Sequence, residues 1–257
     1  MVLVAQTPPP AEPDPGPETT VSTVGDGRTL RLTSMGGART DALLRRVRAD
    51  MGAAVRAVER FWGADWTPEI DIVAAGSAAQ FIADAGLDPL REWDDIAAVA
   101  VADEVDFTRR QASGQRIVLA PGASGMTNAD LRIVLTHELF HLAARADTAL
   151  DAPRWLTEGV ADFVARPAVP LPPGAAATTA LPSDAELDAS GPARSAGYDR
   201  AWWFARYVAE SYGVDGLRRL YERACGPGHG DFAAAVREAL GADLDDVRSR
   251  WAGWLKQ

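Results

Sequence analysis

Two stretches decide how this chain reads: residues 128–146, NADLRIVLTHELFHLAARA, and residues 153–165, PRWLTEGVADFVA. The first is apolar along most of its length and carries His137, Glu138 and His141 within one run of five. Each residue of an α-helix turns by about 100°, so His141 stands only about 40° around from His137, and Glu138 about 60° from His141. One helical face therefore presents two imidazoles and a carboxylate together. Thr127 with Asp130 gives that helix a start signal. Neutral imidazole suits zinc, and a carboxylate beside it can take a proton from a metal-activated water. Paired histidines also occur as ordinary core residues. Here, however, the chain has only three histidines and two of them occupy the pattern. A glutamate in so apolar a helix is also costly to bury without a partner.

The second stretch supplies what the first lacks. A zinc ion held by two histidines takes a third protein ligand and keeps one position open for water. Glu158 lies 17 residues beyond His141, across a loop long enough to let the two helices pack together. Asp162 follows one turn later on the same face, placed to accept the free ring N–H of a ligand histidine. Asp151-Ala152-Pro153 provides a start signal for this helix. A solvated helix face is the plain alternative for Glu158 and Asp162. Trp155, Leu156, Val160, Phe163 and Val164 around them argue for a buried helix instead.

Working outward, the expected plan is α+β: a small mixed N-terminal sheet with helices, the metal-binding helix pair, then a helical subdomain. Alternation marks strands at 28–33, 68–74, 96–103 and 115–120. Apolar spacing at three and four, from Leu43 to Phe61, predicts a helix over 38–62 closed by Gly63, and a short helix spans 77–85 before Gly86. From Thr127 onward helices are expected at 128–146, 153–165, 199–212, 214–224, 230–240 and 243–255. Residues 166–197, rich in Pro, Ala, Gly and Ser, are too long for a plain connector and read as a lid or a flexible insertion. Residues 1–20 read as a Pro-rich tail, and 21–257 as one domain with an α/β part (21–126) and a helical part (127–257). Either strand 96–103 or strand 115–120 is expected to form the cleft edge and take up substrate backbone by strand addition.

Composition narrows the partners. The chain has 257 residues, 47% hydrophobic and 24% charged, which fits a folded globular domain. Its net charge of −10, with arginines scattered among acids, argues against a nucleic-acid partner. Cys225 is the single cysteine, so neither a disulfide framework nor a thiolate zinc cluster is available. No apolar run approaches the roughly 20 residues needed to span a bilayer. The Pro-rich tether after Met1-Val2-Leu3-Val4-Ala5 fits the stub of a removed anchor or leader, and hence secretion or the cell envelope; it fits a disordered tail equally well. His229, in the glycine-rich turn 226–230, is expected to be exposed.

His-Glu-x-x-His followed by Trp-Leu-x-Glu-Gly-x-Ala resembles the gluzincin metallopeptidases, especially the aminopeptidase-like and peptidase MA-like branch. The specific likeness covers about residues 115–215. It implies one zinc ion bound by His137, His141 and Glu158, with Glu138 as general base and Asp162 behind the ligands. It further implies that Tyr198, read as a tyrosine just before a helix, stabilises the oxyanion, and that the substrate is a peptide or protein. The aminopeptidase branch also carries a Gly-x-Met-x-Asn-type strand that captures a free amino terminus. That strand is not found here, which favours an endopeptidase.

Two other readings compete. A metzincin-like protease would take Asp147 as third ligand, but it needs a glycine at 144 to turn the chain, and Ala144 continues the helix instead. A non-catalytic zinc-binding module of the cell envelope is the other. The completeness of ligands, base and supporting groups weighs against it.

Overall fold

A computed structural model describes residues 16–257 apart from 26, 92, 94 and 190. The proline-rich tether up to residue 15 lies outside the described residues. The strands are β1 (Glu18–Val24), β2 (Arg28–Ser34), β3 (Glu69–Ala74), β4 (Ala98–Val101), β5 (Glu104–Asp106), β6 (Gln111–Ser113) and β7 (Arg116–Leu119). The helices are α1 (Ala38–Trp62), α2 (Ala78–Ala85), α3 (Asn128–Ala144), α4 (Arg154–Ala165), α5 (Asp184–Leu187), α6 (Pro192–Tyr212), α7 (Val214–Cys225), α8 (Phe232–Leu240) and α9 (Leu244–Trp254). The result is α+β, a mixed sheet followed by a helical C-terminal part.

Five strands form one sheet in the order β1-β2-β3-β7-β4, and β5 pairs with β6 as a separate hairpin. β2, β3 and β7 run parallel, while β1 and β4 close the two edges antiparallel. Parallel neighbours need a crossover, and α1 supplies the one between β2 and β3. Its stripe of Leu43, Leu44, Val47, Met51, Val55, Val58 and Phe61 is buried against the rest of the core. Phe61 then meets Phe140 of α3 at 5.8 Å and Phe163 of α4 at 5.9 Å between ring centres, both edge-on. One apolar helix thus supports the two helices that carry the candidate ligands.

Several elements depart from the expectations. β1 begins at Glu18, inside the segment read as tail; five of its seven residues are exposed and none is buried, so it shows no apolar alternation. Its β-branched residues pair with β2 across a turn in which Gly25 and Gly27 take positive φ. The β5–β6 hairpin is short and polar and carries no periodic signal either. α6 starts at Pro192, seven residues before the expected position. Its opening residues are small or polar, while proline suits the first helical turn. Residues 166–197, read as a lid or flexible insertion, are anchored: Ala175 and Leu187 are buried, Glu186 pairs with Arg200, and Arg206 donates to the Val169 carbonyl at 2.6 Å. β4 is the sheet edge and β7 is interior, so of the two candidate cleft strands only β4 lies at an edge, and there Ala100 hydrogen-bonds to Glu138 and Arg145.

Candidate metal centre

α3 starts where its cap demands. The Thr127 hydroxyl accepts from the Asp130 backbone N–H at 3.1 Å and donates to that residue's carboxylate at 2.7 Å. Leu131, Leu135, Leu139, Phe140 and Leu142 bury the helix on several sides. His137 and His141 stand on the remaining face at 13% and 15% side-chain exposure, so they are reachable while shielded. α4 presents Glu158 opposite them. Here Gly159 has a physical reason: a Cβ at that position would lie 2.4 Å from the Ala201 carbonyl oxygen of α6. Only glycine lets the two helix backbones come this close beside Glu158.

The ligand atoms converge. His137 Nε2 lies 3.1 Å from His141 Nε2 and 3.1 Å from Glu158 Oε2, and His141 Nε2 lies 3.5 Å from Glu158 Oε1. Bonds of about 2.0–2.2 Å at tetrahedral angles put neighbouring ligand atoms about 3.3–3.6 Å apart, close to these separations. The protonation pattern agrees. An ionised Asp162 can only accept, so the 3.0 Å contact from His137 Nδ1 to Asp162 Oδ1 commits the ring proton to Nδ1. Nε2 then faces a carboxylate oxygen and a second imidazole nitrogen, an arrangement that a metal ion or a proton between them would satisfy. His137, His141 and Glu158 could therefore hold a metal ion.

Without a metal, a proton answers the same demand. Burial alone would lower the His137 pKa, but Asp162, Glu158 and Glu138 outweigh it and hold the pKa well above the usual histidine value. Burial would likewise raise Glu158, yet His141 and His137 beside it drive its carboxyl far below the usual range. Glu138 moves the other way. Burial raises its pKa, opposed by the two imidazoles and by a hydrogen bond from the backbone N–H of Ala100 to Oε2 at 2.8 Å. Two carboxylates on one site thus have opposite shifts, one strongly anionic and one with a readier proton, which suits ligand and proton carrier respectively.

A supporting ring lies behind the ligands. Arg166 donates to Asp162 at 3.1 Å and to Asp199 at 3.0 Å, with its guanidinium 4.0 Å above the Trp202 ring. Asp184 caps α4 from 30 residues away, accepting from the backbone N–H groups of Trp155 at 2.7 Å and Arg154 at 3.2 Å. The expected start signal therefore needs correcting, because Asp151 is exposed and the capping carboxylate comes from the segment beyond α4. Sequence reasoning missed Ala100, Arg145, Arg166, Asp184 and Asp199. Of these, only Arg166, one turn past Asp162, sits at a spacing that could have flagged it.

Two further expectations change. Tyr198 lies inside α6, not ahead of a helix, and packs half-buried against the core. Burial raises its pKa and the negative charge of Glu158 adds to that, so the hydroxyl shares the ligands' electrostatic neighbourhood and keeps its proton. Asp147, the metzincin-type ligand, is instead gripped by Arg110 at 2.7 and 2.9 Å in the short turn after α3. There it borders a groove of about 570 Å³ beneath the β5–β6 hairpin, lined also by Trp66, Arg110 and Gln115. His229 is half-buried, with Nδ1 against the Gly230 carbonyl and Nε2 3.5 Å from Asp151. No family model matches this chain, and no curated protein matches its sequence.

Proposed function

We propose that this protein is a zinc-dependent hydrolase of the gluzincin type that cleaves peptide bonds. The observation carrying the reading is the convergence of His137, His141 and Glu158, with Glu138 beside them and one of its oxygens fixed by Ala100. Two imidazoles with one carboxylate are the donor set of catalytic zinc centres that keep an open position. A zinc ion there supplies Lewis acidity, activating water and polarising a scissile carbonyl.

The chain's own groups do the rest. Asp162 fixes the His137 tautomer and ring plane. Glu138, with Oε2 tied to Ala100, keeps Oε1 to accept a proton from the attacking water and pass it to the leaving nitrogen. Tyr198, held neutral, is a donor for the developing oxyanion, where one such bond is worth about 3 kcal/mol. β4 is the edge strand nearest the base, but its outward-facing Ala100 is already held by Glu138 and Arg145, so the substrate backbone is not assigned to it by strand addition. The absence of an amino-terminus-capturing strand keeps an endopeptidase ahead of an aminopeptidase.

The test is metal content by elemental analysis together with cleavage of a peptide library, using Glu138→Gln as control. Stoichiometric zinc, library cleavage, and a control that keeps zinc but loses turnover are expected. Zinc retained by the wild type without cleavage of any peptide would overturn the peptidase reading in favour of a binding module.

A further inference from the structure

Ala100 sits on the edge strand β4, and just before that strand the Ala97 carbonyl accepts from Ala120, the residue after β7, at 2.9 Å. Backbone groups in an antiparallel pair alternate between facing the partner and facing away. Ala100 faces away, and both its backbone groups are taken by α3 and the residue that caps its C-terminal end. Its N–H donates to Glu138 Oε2 at 2.8 Å, and its C=O accepts from Arg145 Nη2 at 2.6 Å. Glu138 and Arg145 are seven residues apart, which on an α-helix returns the side chain to within about 20° of the same direction. The helix therefore grips a single residue of the strand from above and below.

The guanidinium is costly to keep in this place. Arg145 is largely buried, and its Nε has no hydrogen-bond partner among the described residues. An apolar residue would pack there without leaving a buried donor unpaired. What Arg145 does supply is a fixed Ala100 carbonyl. The N–H of the same residue is thereby aimed at the carboxylate that the hydrolase reading makes the base.

We propose that Arg145 is a positioning residue for Glu138, acting through the backbone of Ala100. This rests on the hydrolase reading above. Arg145 orients the edge strand; the strand pins Oε2; and Oε1 is left to accept the proton. Misplacing a reacting group by about 1 Å can cost about 100-fold in rate. Loss of the clamp would therefore be read in kcat, with little change in KM or in metal content.

The experiment compares wild type, Arg145→Lys and Arg145→Gln as zinc-loaded enzymes on one cleaved peptide, with thermal midpoint and zinc stoichiometry measured alongside. The expected order of kcat is Arg, then Lys, then Gln. Glutamine should lose about 100-fold and lysine, which keeps one donor, about tenfold, at unchanged KM and zinc. Equal kcat across the three, or a change confined to KM, overturns the proposal. Should the glutamine variant fail to fold, the lysine variant decides alone: wild-type kcat overturns the clamp, and a reduced kcat with full zinc supports it. An inactive wild type would overturn the hydrolase reading itself, so the two failures are distinguishable.

Discussion

The two helices that carry the candidate ligands share α1 as a neighbour but are capped and braced differently. α3 is capped locally, by its own Thr127; apolar residues on several sides bury it, and Glu138 and Arg145 tie it to Ala100 of β4, 38 and 45 residues away. α4 is fixed from a distance. Asp184 caps it, Arg166 and Asp199 brace its Asp162, and the α6 backbone presses on Gly159. A helix whose support is written in its own residues can be recognised from them. α4 was as legible as a helix, at 153–165, but the cap that Asp184 lends it from about 30 residues away was not.

The sharpest break of that comparison comes from the ligands themselves, one from each helix. His137→Ala and Glu158→Ala should each abolish stoichiometric metal binding, measured by elemental analysis after dialysis. Full metal retention by either would show that the centre does not need both helices. Acidity should weaken the intact centre through His137. Its pKa is raised, and metal needs the neutral Nε2, so protons compete below that pKa and affinity climbs as pH rises toward it. A competition titration with a zinc-binding dye across pH 5 to 8 should show about a tenfold gain per unit where one proton is displaced. A flat profile would mean that no imidazole proton is released on binding.

A smaller effect tests the brace at the end of α4. Arg166→Leu leaves every ligand in place but removes the guanidinium shared by Asp162 and Asp199 and stacked on Trp202. Zinc affinity should fall about tenfold, in the range typical for groups that orient ligands from behind. Unchanged affinity would place the whole burden of orienting His137 on Asp162.

The same contrast explains how much was legible beforehand. α1 was readable to both ends because its apolar residues recur at three and four from Leu43 to Phe61. His137, Glu138, His141, Glu158 and Asp162 stood out because titratable groups at helical spacing inside apolar runs need a reason. β1 escaped notice because it is exposed, and the front of α6 because Pro192 through Gly197 look like loop composition. Tyr198 consequently fell one helix boundary out of place. Ala100 could not have been found at all, since it acts through backbone groups that every residue has.

The gentlest test concerns the cap that α4 borrows. The first N–H groups of a helix have no partner within it, and here Asp184 satisfies those of Arg154 and Trp155 from across the 166–197 segment. Replacing a capping carboxylate by alanine costs about 1 kcal/mol when the cap is local. Asp184→Ala should cost a similar amount in a urea titration, yet its effect should not stop at α4. The same short helix, α5, holds Arg200 through Glu186, and Asp188 just after it holds Arg154. Freeing Asp184 should therefore increase amide exchange across both α4 and the 175–190 segment, while α3 exchanges as before. Exchange that rises in α4 alone would mean that the segment is anchored independently and merely lends its carboxylate. Exchange that also rises in α3 would mean that the two helices share a single support after all.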